Sequence, residues 1–386
     1  MRVVGLMSGT SADGIDAALV EWPATGEARP FKLLAYQETP HSEALQAAIH
    51  RLAAGELPGQ AVLEEQIRLD RVLGDAFADA VLPLVAEAGV PLDSIDGVAS
   101  HGQTIAHHPQ RGGTLQIGCP ARIAERLERP VIADFRRRDC AMDGEGAPLA
   151  PFFHHAVFSD PDESRGVLNL GGIANLTWLP RGGRPDEVMA FDVGPANSLI
   201  DGVVALDSEG RERFDRDGGR ARAGTVVDAY LKEILADPYL ERRPPKSTGR
   251  ERYGAAQARA WLGRARKDGV STRDLVATLV AGSVNAIASA WTGMQSLGEA
   301  QRGRLLVGGG GARNSFVMSS LADALPGVRV ETMDAAGVPA DAAEAMAFSL
   351  LGRNTLLGIP NQLPQCTGVS RAAILGVVHG AEWIRR

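Results

Sequence analysis

The chain predicts an α/β fold of two domains, and three observations carry that expectation. Short apolar strands alternate with helical stretches along the sequence. At 386 residues the chain is long enough for two full cores. A strand, glycine turn, strand plan at residues 2–22 returns at residues 165–178, which points to duplicated halves, each presenting a turn.

The elements follow in order. Residues 3–7 and 15–20 are apolar and β-branched, so they read as paired strands around a small, hydroxylated insert. Helical spacing covers 42–55 and 61–89. A short strand at 95–100 runs into His101-Gly102-Gln103-Thr104, and another at 131–133 ends at Asp134-Phe135-Arg136. The second hairpin turns at Gly171-Gly172. A strand at 188–191 ends at Asp192, and one at 305–307 ends at Gly308-Gly309-Gly310-Gly311, with a helix following to about Leu325. Residues 341–348 read as a helix. Residues 275–298 carry no formal charge, but Thr278, Gly282, Ser283, Asn285 and Ser289 make them too polar for a membrane span. Val276, Leu279, Val280, Val284, Ile287 and Trp291 recur at helical spacing there, which predicts a buried helix. Residues 137–149 and 357–368 read as crossings between domains. The expected first domain is therefore 1–137 plus 365–386, and the second 138–364.

Hydrophobic residues at 45% and charged residues at 23% describe a globular chain. A net charge of −7 leaves no broad basic field for nucleic acid or an anionic membrane. Any phosphate site must then be local. Cys119, Cys140 and Cys366 lack metal-ligand spacing and fit a reducing compartment. The apolar run at 3–7 is too short for a signal peptide, so the cytoplasm is the expected address.

The polar clusters fall at strand ends, where open α/β sheets gather function. In Gly9-Thr10-Ser11-Ala12-Asp13-Gly14-Ile15-Asp16, glycine permits close backbone approach and the hydroxyls can bond phosphate oxygens. Asp13 and Asp16 would repel phosphate unless a divalent metal lay between them, and the same run also serves as an ordinary hairpin tip. Four glycines before Ala312-Arg313-Asn314 exceed what a turn needs and favour a ligand against bare backbone. They form neither a dinucleotide fingerprint nor a Walker A loop. Asp192, ahead of Gly194-Pro195 and Asn197, can act as a general base or cap a helix. His101, Thr104, Asp134 and Arg136 suit a sugar, with a cation for a carboxylate. Glu344 stands among small residues, which permit close approach, although a surface role is its default. Residues 244–251 form a polar loop with two cations, open to an anion or to solvent alone. The pairs His107-His108 and His154-His155 lack an obvious third ligand for zinc.

Taken in order, these motifs resemble the hexokinase/actin-type ATPase superfamily, and within it the anhydro-N-acetylmuramic acid kinases. The likeness spans almost the whole chain. It rests on residues 5–11 with Asp13-Gly14-Ile15-Asp16, on 100–104, 134–136, 146–149, 169–175, Phe191-Asp192 with Gly194-Pro195, 244–251, 308–314 and Thr367-Gly368. Ala12, Asp143, Glu145, Val193 and Ala196 depart from the family pattern, and none removes a proposed catalytic group. The resemblance implies a two-domain hexokinase/actin-like (ribonuclease H-like) fold with an interdomain ATP cleft. It implies an ATP-dependent kinase that opens 1,6-anhydro-N-acetylmuramic acid with water and phosphorylates O6, in peptidoglycan recycling.

On that resemblance Asp192 is the base. Gly9, Thr10, Ser11, Ala12, Asp13, Gly14, Ile15, Asp16, Gly171 and Gly172 hold the phosphates, while Gly308, Gly309, Gly310, Gly311 and Asn314 take the rest of ATP. Asp13 and Asp16 meet Mg²⁺ directly or through water. His101, Thr104, Asp134, Arg136, Gly194, Pro195, Asn197 and Glu344 face the amino sugar. A homodimer is the implied assembly. The alternatives are a kinase for an ordinary sugar or polyol, and a nucleotide-driven actin-like binding protein.

Overall fold

The computed structural model describes residues 1–295 and 303–383. Two compact units divide the chain: residues 1–157 with 342–386, and residues 158–341.

The first unit is built on strands β1 (Arg2–Ser8), β2 (Gly14–Glu21), β3 (Lys32–Pro40), β4 (Gly97–His108), β5 (Gly113–Ile117) and β6 (Val131–Ala133). Across the sheet the order is β3-β2-β1-β4-β6, with Val377–His379 outside β6 and β5 paired to β4. The β1–β2 and β2–β3 pairs are antiparallel, whereas β1–β4 and β4–β6 are parallel. Alternation along β1 sends Val4 and Leu6 into a core with Leu69, Leu73 and Phe77 of the helix Ala61–Glu87. Gly5 faces the other way, onto the helix Ala343–Leu356, where an added Cβ would lie 1.8 Å from Ala345 O. In that helix, Ser349 Oγ donates to Val3 O at 2.8 Å and accepts from Trp22 Nε1 at 2.8 Å.

The second unit carries β7 (Ser164–Leu170), β8 (Ile173–Leu179), β9 (Met189–Pro195), β10 (Gly303–Gly308) and β11 (Val328–Thr332). The order is β9-β8-β7-β10-β11, antiparallel through β7–β9 and parallel through β7, β10 and β11. This repeats the 3-2-1-4-5 plan of the first sheet, and is the ribonuclease H-like arrangement expected. The helix Thr272–Gln295 is long and apolar enough to cross a membrane, yet 67% of its most apolar window is buried within the protein. Trp291 from that helix meets Trp178 edge-on at 4.9 Å. The last part of the helix expected over 275–298 lies outside the described residues.

Three expectations need correction. The units meet at 157/158 and 341/342 rather than 137/138 and 364/365. The reason is packing: the helix Phe135–Cys140 and the segment 357–368 belong to the first unit, where Asp139 binds Gln362 and Thr367. His101 to Thr104 lie inside β4 instead of beyond its end. Asp192 likewise lies inside β9, because the ladder with β8 continues to Pro195.

Both displaced residues sit at β-bulges. Register along β1–β4 steps from Leu6–Ser100 to Ser8–Gln103, so β4 carries an extra residue at His101-Gly102, with Gly102 at φ +74°. Along β8–β9 it steps from Ala174–Gly194 to Asn175–Asp192, which leaves Val193 extra. A bulge turns neighbouring side chains away from strict alternation, a device common beside active sites.

Candidate active site

Each unit presents its own candidate groups. In the first, the turn after β1 is held from beneath. Ser8 Oγ lies 2.8 Å from Gly14 O and 2.7 Å from Gln103 Oε1, and Gln103 Nε2 donates to Gly9 O at 3.0 Å. Ser8 and Gln103 are both buried. Gln46 Nε2 donates to Ser11 O at 2.9 Å, and His50 Nε2 lies 3.0 Å from the same oxygen. Ala12 N–H closes the turn on Gly9 O at 3.1 Å, with Ala12 in the left-handed region at φ +49°. Thr10, Ser11 and Asp13 are exposed, and Ser11 Oγ donates to Asp13 Oδ1 at 2.9 Å. Ala12 and Ile15 bury their side chains in the core, so only their backbones are offered to a ligand.

Asp16 lies on β2 beside Gly14. Tyr36 Oη donates to Asp16 Oδ1 at 2.9 Å and lies equally close to Glu38 Oε1. Burial raises the Asp16 carboxyl to about 6; the Tyr36 bond opposes, while Glu38, Glu344 and Asp13 add to the rise. Among the described residues no three His, Cys, Asp or Glu side chains gather as a metal cage. An oxygen-only pair such as Asp13 and Asp16 does suit Mg²⁺, which keeps its waters and takes phosphate oxygens with one or two carboxylates.

The second group of the first unit centres on Arg136. Its Nε donates to His101 Nε2 at 3.0 Å and its Nη1 to Gly146 O at 2.8 Å. Burial, followed by the Arg136 charge, pushes His101 down to about 3. The imidazole is thus neutral, accepts at Nε2 and carries its proton on Nδ1, a buried atom with no hydrogen-bond partner among the described residues. Phe348 lies against the His101 ring at 4.8 Å. One turn earlier on that helix, Glu344 feels the Arg136 charge. Glu344 remains solvent-accessible, yet desolvation by surrounding protein raises its carboxyl, with Arg136 opposing. Thr104 Oγ1 accepts from Gln116 Nε2 at 3.1 Å. Asp134 sits at φ +63° before the helix Phe135–Cys140; burial raises its pKa, and Arg137, 3.4 Å away, opposes.

The second unit fixes Asp192 on every side. Asn175 Nδ2 donates to Oδ1, and the Thr248 N–H to Oδ2 at 2.8 Å. Its own N–H donates to Lys246 O at 3.1 Å, and its carbonyl accepts from Tyr239 Oη at 2.8 Å. Desolvation nevertheless raises the carboxyl above the ordinary range, outweighing the bonds from Thr248 and Asn175. Lys246 is buried. Its Nζ donates to Tyr239 O and Leu240 O at 3.2 and 3.1 Å, and burial lowers its pKa. The loop read as open to an anion or to solvent alone also braces Asp192, and sequence reasoning missed Asn175, Tyr239, Lys246 and Thr248 as its partners. Asn175 carried the one legible signal, a polar residue inside an apolar hairpin strand.

The second hairpin leans on the helix Asn197–Asp207. Gly172 O accepts N–H groups of Ala196 and Ser198, and Gly171 O that of Asn197. Asn197 Nδ2 donates to Leu170 O at 2.8 Å, Pro195 O accepts from Ser283 Oγ at 2.8 Å, and a Cβ on Gly194 would meet Leu240 at 2.7 Å. These three residues serve the scaffold of the Asp192 strand.

The glycine run separates by position. A Cβ at Gly308 would meet Met333 Sδ at 2.7 Å, at Gly309 Asn169 Oδ1 at 2.2 Å, and at Gly311 Leu170 Cβ at 2.6 Å. Around Gly310 nothing lies within 4 Å. Packing thus explains three of the four, and Gly310 is the bare backbone open to a ligand. Asn314 Oδ1 caps the helix Ser315–Ala324 by accepting from Phe316 and Val317. Gly309→Ala, also at φ +76°, is expected to cost about 2 kcal/mol or more. Gly310→Ala is expected to move the melting temperature by less than about 2 °C while raising KM for ATP. Calorimetry and steady-state kinetics on the pair check this, and equal melting losses would refute the distinction.

Two ribonuclease H-like sheets, each turning through a glycine hairpin, with a desolvated carboxylate on the strand after the second, place the chain in the hexokinase/actin class of folds. The chain belongs to the anhydro-N-acetylmuramic acid kinase family, whose model matches residues 1–381. It is 43% identical over 380 residues to the anhydro-N-acetylmuramic acid kinase of Xanthomonas campestris pv. campestris, covering 98% of this chain and 97% of that one. It is 38% identical over 384 residues to that of Caldanaerobacter subterraneus subsp. tengcongensis, covering 97% and 96%. Among solved structures it is similar to a ROK hexokinase from Thermus thermophilus, at 16% identity and a TM-score of 0.38 over 91% of this chain and 99% of that one.

Proposed function

We propose that the protein uses ATP and water to convert 1,6-anhydro-N-acetylmuramic acid into N-acetylmuramic acid 6-phosphate, a step of peptidoglycan recycling. The observation that carries this reading is Asp192: desolvated, raised in pKa and held by Asn175 and Thr248, it is built to accept a proton. Asp192 takes a proton from water as the water oxygen bonds to C1. The C1–O6 bond breaks, O6 bonds to the γ-phosphorus, and the bond from that phosphorus to the β,γ-bridging oxygen breaks to release ADP. The proton on Asp192 returns to solvent.

In the first unit, the free edge of the Arg136 guanidinium receives the lactyl carboxylate, with His101, Thr104, Asp134 and Glu344 around the sugar. The backbones of Gly9 to Asp16 and of Gly171-Gly172 receive the phosphates, and Gly310 the adenosine. Asp16 and Asp13 hold Mg²⁺ directly or through water, and that ion supplies charge neutralisation on the phosphates. Charge neutralisation and positioning are most of what phosphoryl transfer requires. The net charge of −7 supports a protein with no nucleic-acid or membrane partner. The family resemblance supports a cytoplasmic homodimer.

Incubation with ATP, Mg²⁺ and a sugar panel in H₂¹⁸O tests the assignment by product mass. The anhydro-sugar is expected to gain both water and phosphate, with the heavy oxygen at C1. Phosphorylation of ordinary hexoses alone, without incorporation of solvent oxygen, would establish the second reading, a simple sugar kinase.

A further inference from the structure

We propose that Arg250 is a further catalytic residue, whose guanidinium contacts the transferring phosphoryl group at the second glycine hairpin. The proposal rests on the kinase reading above and names a group that reading did not use.

Geometry comes first. A Cβ built on Gly172 would lie 3.5 Å from Arg250 Nε and 3.7 Å from Nη2, so the guanidinium lies against the turn itself. Arg250 is exposed, and its guanidinium makes no hydrogen bond or ion pair among the described residues. An arginine that packs on a glycine turn while keeping its planar donor fork free suits a bidentate anion.

Charge explains why the site needs it. A hairpin at the start of a helix would ordinarily borrow the free N–H groups of that helix for phosphate. Here the N–H groups of Ala196, Asn197 and Ser198 are spent on the carbonyls of Gly171 and Gly172. The surroundings are acidic as well. Asp192 feels the negative charge of Glu251, and Asp201 feels that of Asp215, with Arg250 as the opposing cation at Asp201. A triphosphate brought to this turn meets net repulsion unless a cation answers it. Lys246, the other cation of the loop, is buried with Nζ on backbone carbonyls and is not available. Arg250 remains.

The same loop ties the two tasks together. Thr248, two residues before Arg250, gives its N–H to Asp192. Gly249 O then accepts from Arg252 and Tyr253, which turns the chain at Arg250. One short segment therefore orients the base and carries the cation for the phosphoryl group.

The test is Arg250→Ala with Arg250→Lys beside it, each assayed for turnover, for melting temperature, and by calorimetry with ADP and with the non-hydrolysable ATP analogue AMPPNP. Arg250→Ala is expected to lower kcat about 10³-fold, the low end of what an arginine on a transferring phosphoryl supplies. AMPPNP binding should weaken at least about tenfold while ADP binding stays within about twofold, since only the former carries the γ-phosphoryl. Melting temperature should hold, Arg250→Lys should recover part of the rate, and added guanidinium should partly rescue Arg250→Ala. Turnover above half of wild type, or equal weakening of both nucleotides, would overturn the proposal. If the wild-type protein fails on the anhydro-sugar, the proposed function falls, while the ADP-against-AMPPNP comparison still decides whether Arg250 reads the γ-phosphoryl.

Discussion

Asp192→Asn is expected to lower turnover of the anhydro-sugar by about 10²–10⁴-fold, the share a positioned general base supplies. Nucleotide binding should remain, because neither glycine turn depends on this side chain for its hydrogen bonds. The variant is close to isosteric, but its amide meets two donors, Asn175 Nδ2 and the Thr248 N–H, where the carboxylate accepted from both. A local cost of about 1–3 kcal/mol follows from leaving one donor facing another, so melting temperature must be measured alongside rate. In the wild-type enzyme, desolvation raises the Asp192 carboxyl. A raised pKa means that the basic form is lost earlier as pH falls. The acid limb of kcat/KM should therefore lie above the ordinary carboxylate range, with full activity on its alkaline side, and should vanish from the residual activity of the variant. Normal turnover in Asp192→Asn would remove this residue from the chemistry.

Gly5→Ala is expected to have the largest effect on stability. The new methyl would fall 1.8 Å from Ala345 O and 2.6 Å from Ser349 N, both backbone atoms of a packed helix. No side-chain rotation relieves such a contact, so the helix must lift from the sheet. Overpacking at this level costs about 3 kcal/mol or more, or roughly 6–12 °C in melting temperature for a unit of this size. Activity should fall with it, because the same helix carries Phe348 against His101 and Glu344 beside Arg136. Gly9→Ala is the control: its Cβ would find nothing nearer than Ser11 Oγ at 3.7 Å. A melting temperature for Gly5→Ala equal to that of Gly9→Ala would contradict the packing described.

Much of this architecture was legible in the chain, for physical reasons that can be named. Strand–turn–strand runs of β-branched residues around glycine carry their own period, so both hairpins and four strands of each sheet could be anticipated, whereas the edge strands Lys32–Pro40 and Val328–Thr332 were not read. The helices at Glu43–Ala53 and Ala61–Glu87 were visible because their apolar stripes repeat locally. Bulges were not legible. Whether Val193 is one residue too many depends on the partner strand, and Asp192 before Gly-Pro looks like a strand end until Asn175 is set opposite it. The brace at Lys246 was hidden for a similar reason: a lysine in a polar loop looks solvated unless the carbonyls of residues 239 and 240 are seen to enclose it. The glycine run misled in the other direction. Sequence counts glycines, but only contacts reveal that three of the four make room for Met333, Asn169 and Leu170.

The route of the chain through its two units has a consequence for biosynthesis. Residues 158–341 form a continuous unit, complete as soon as they leave the ribosome, whereas the first unit needs both the opening strand and residues from 342 onward. Val3 must wait for Ser349, 346 positions later, before its carbonyl receives its hydroxyl partner. The amino-terminal sheet therefore spends most of translation with its Gly5 surface uncovered, the period in which apolar surfaces seek wrong partners. Loss of the last forty or so residues should leave the inserted unit protease-resistant and the amino-terminal one open to digestion.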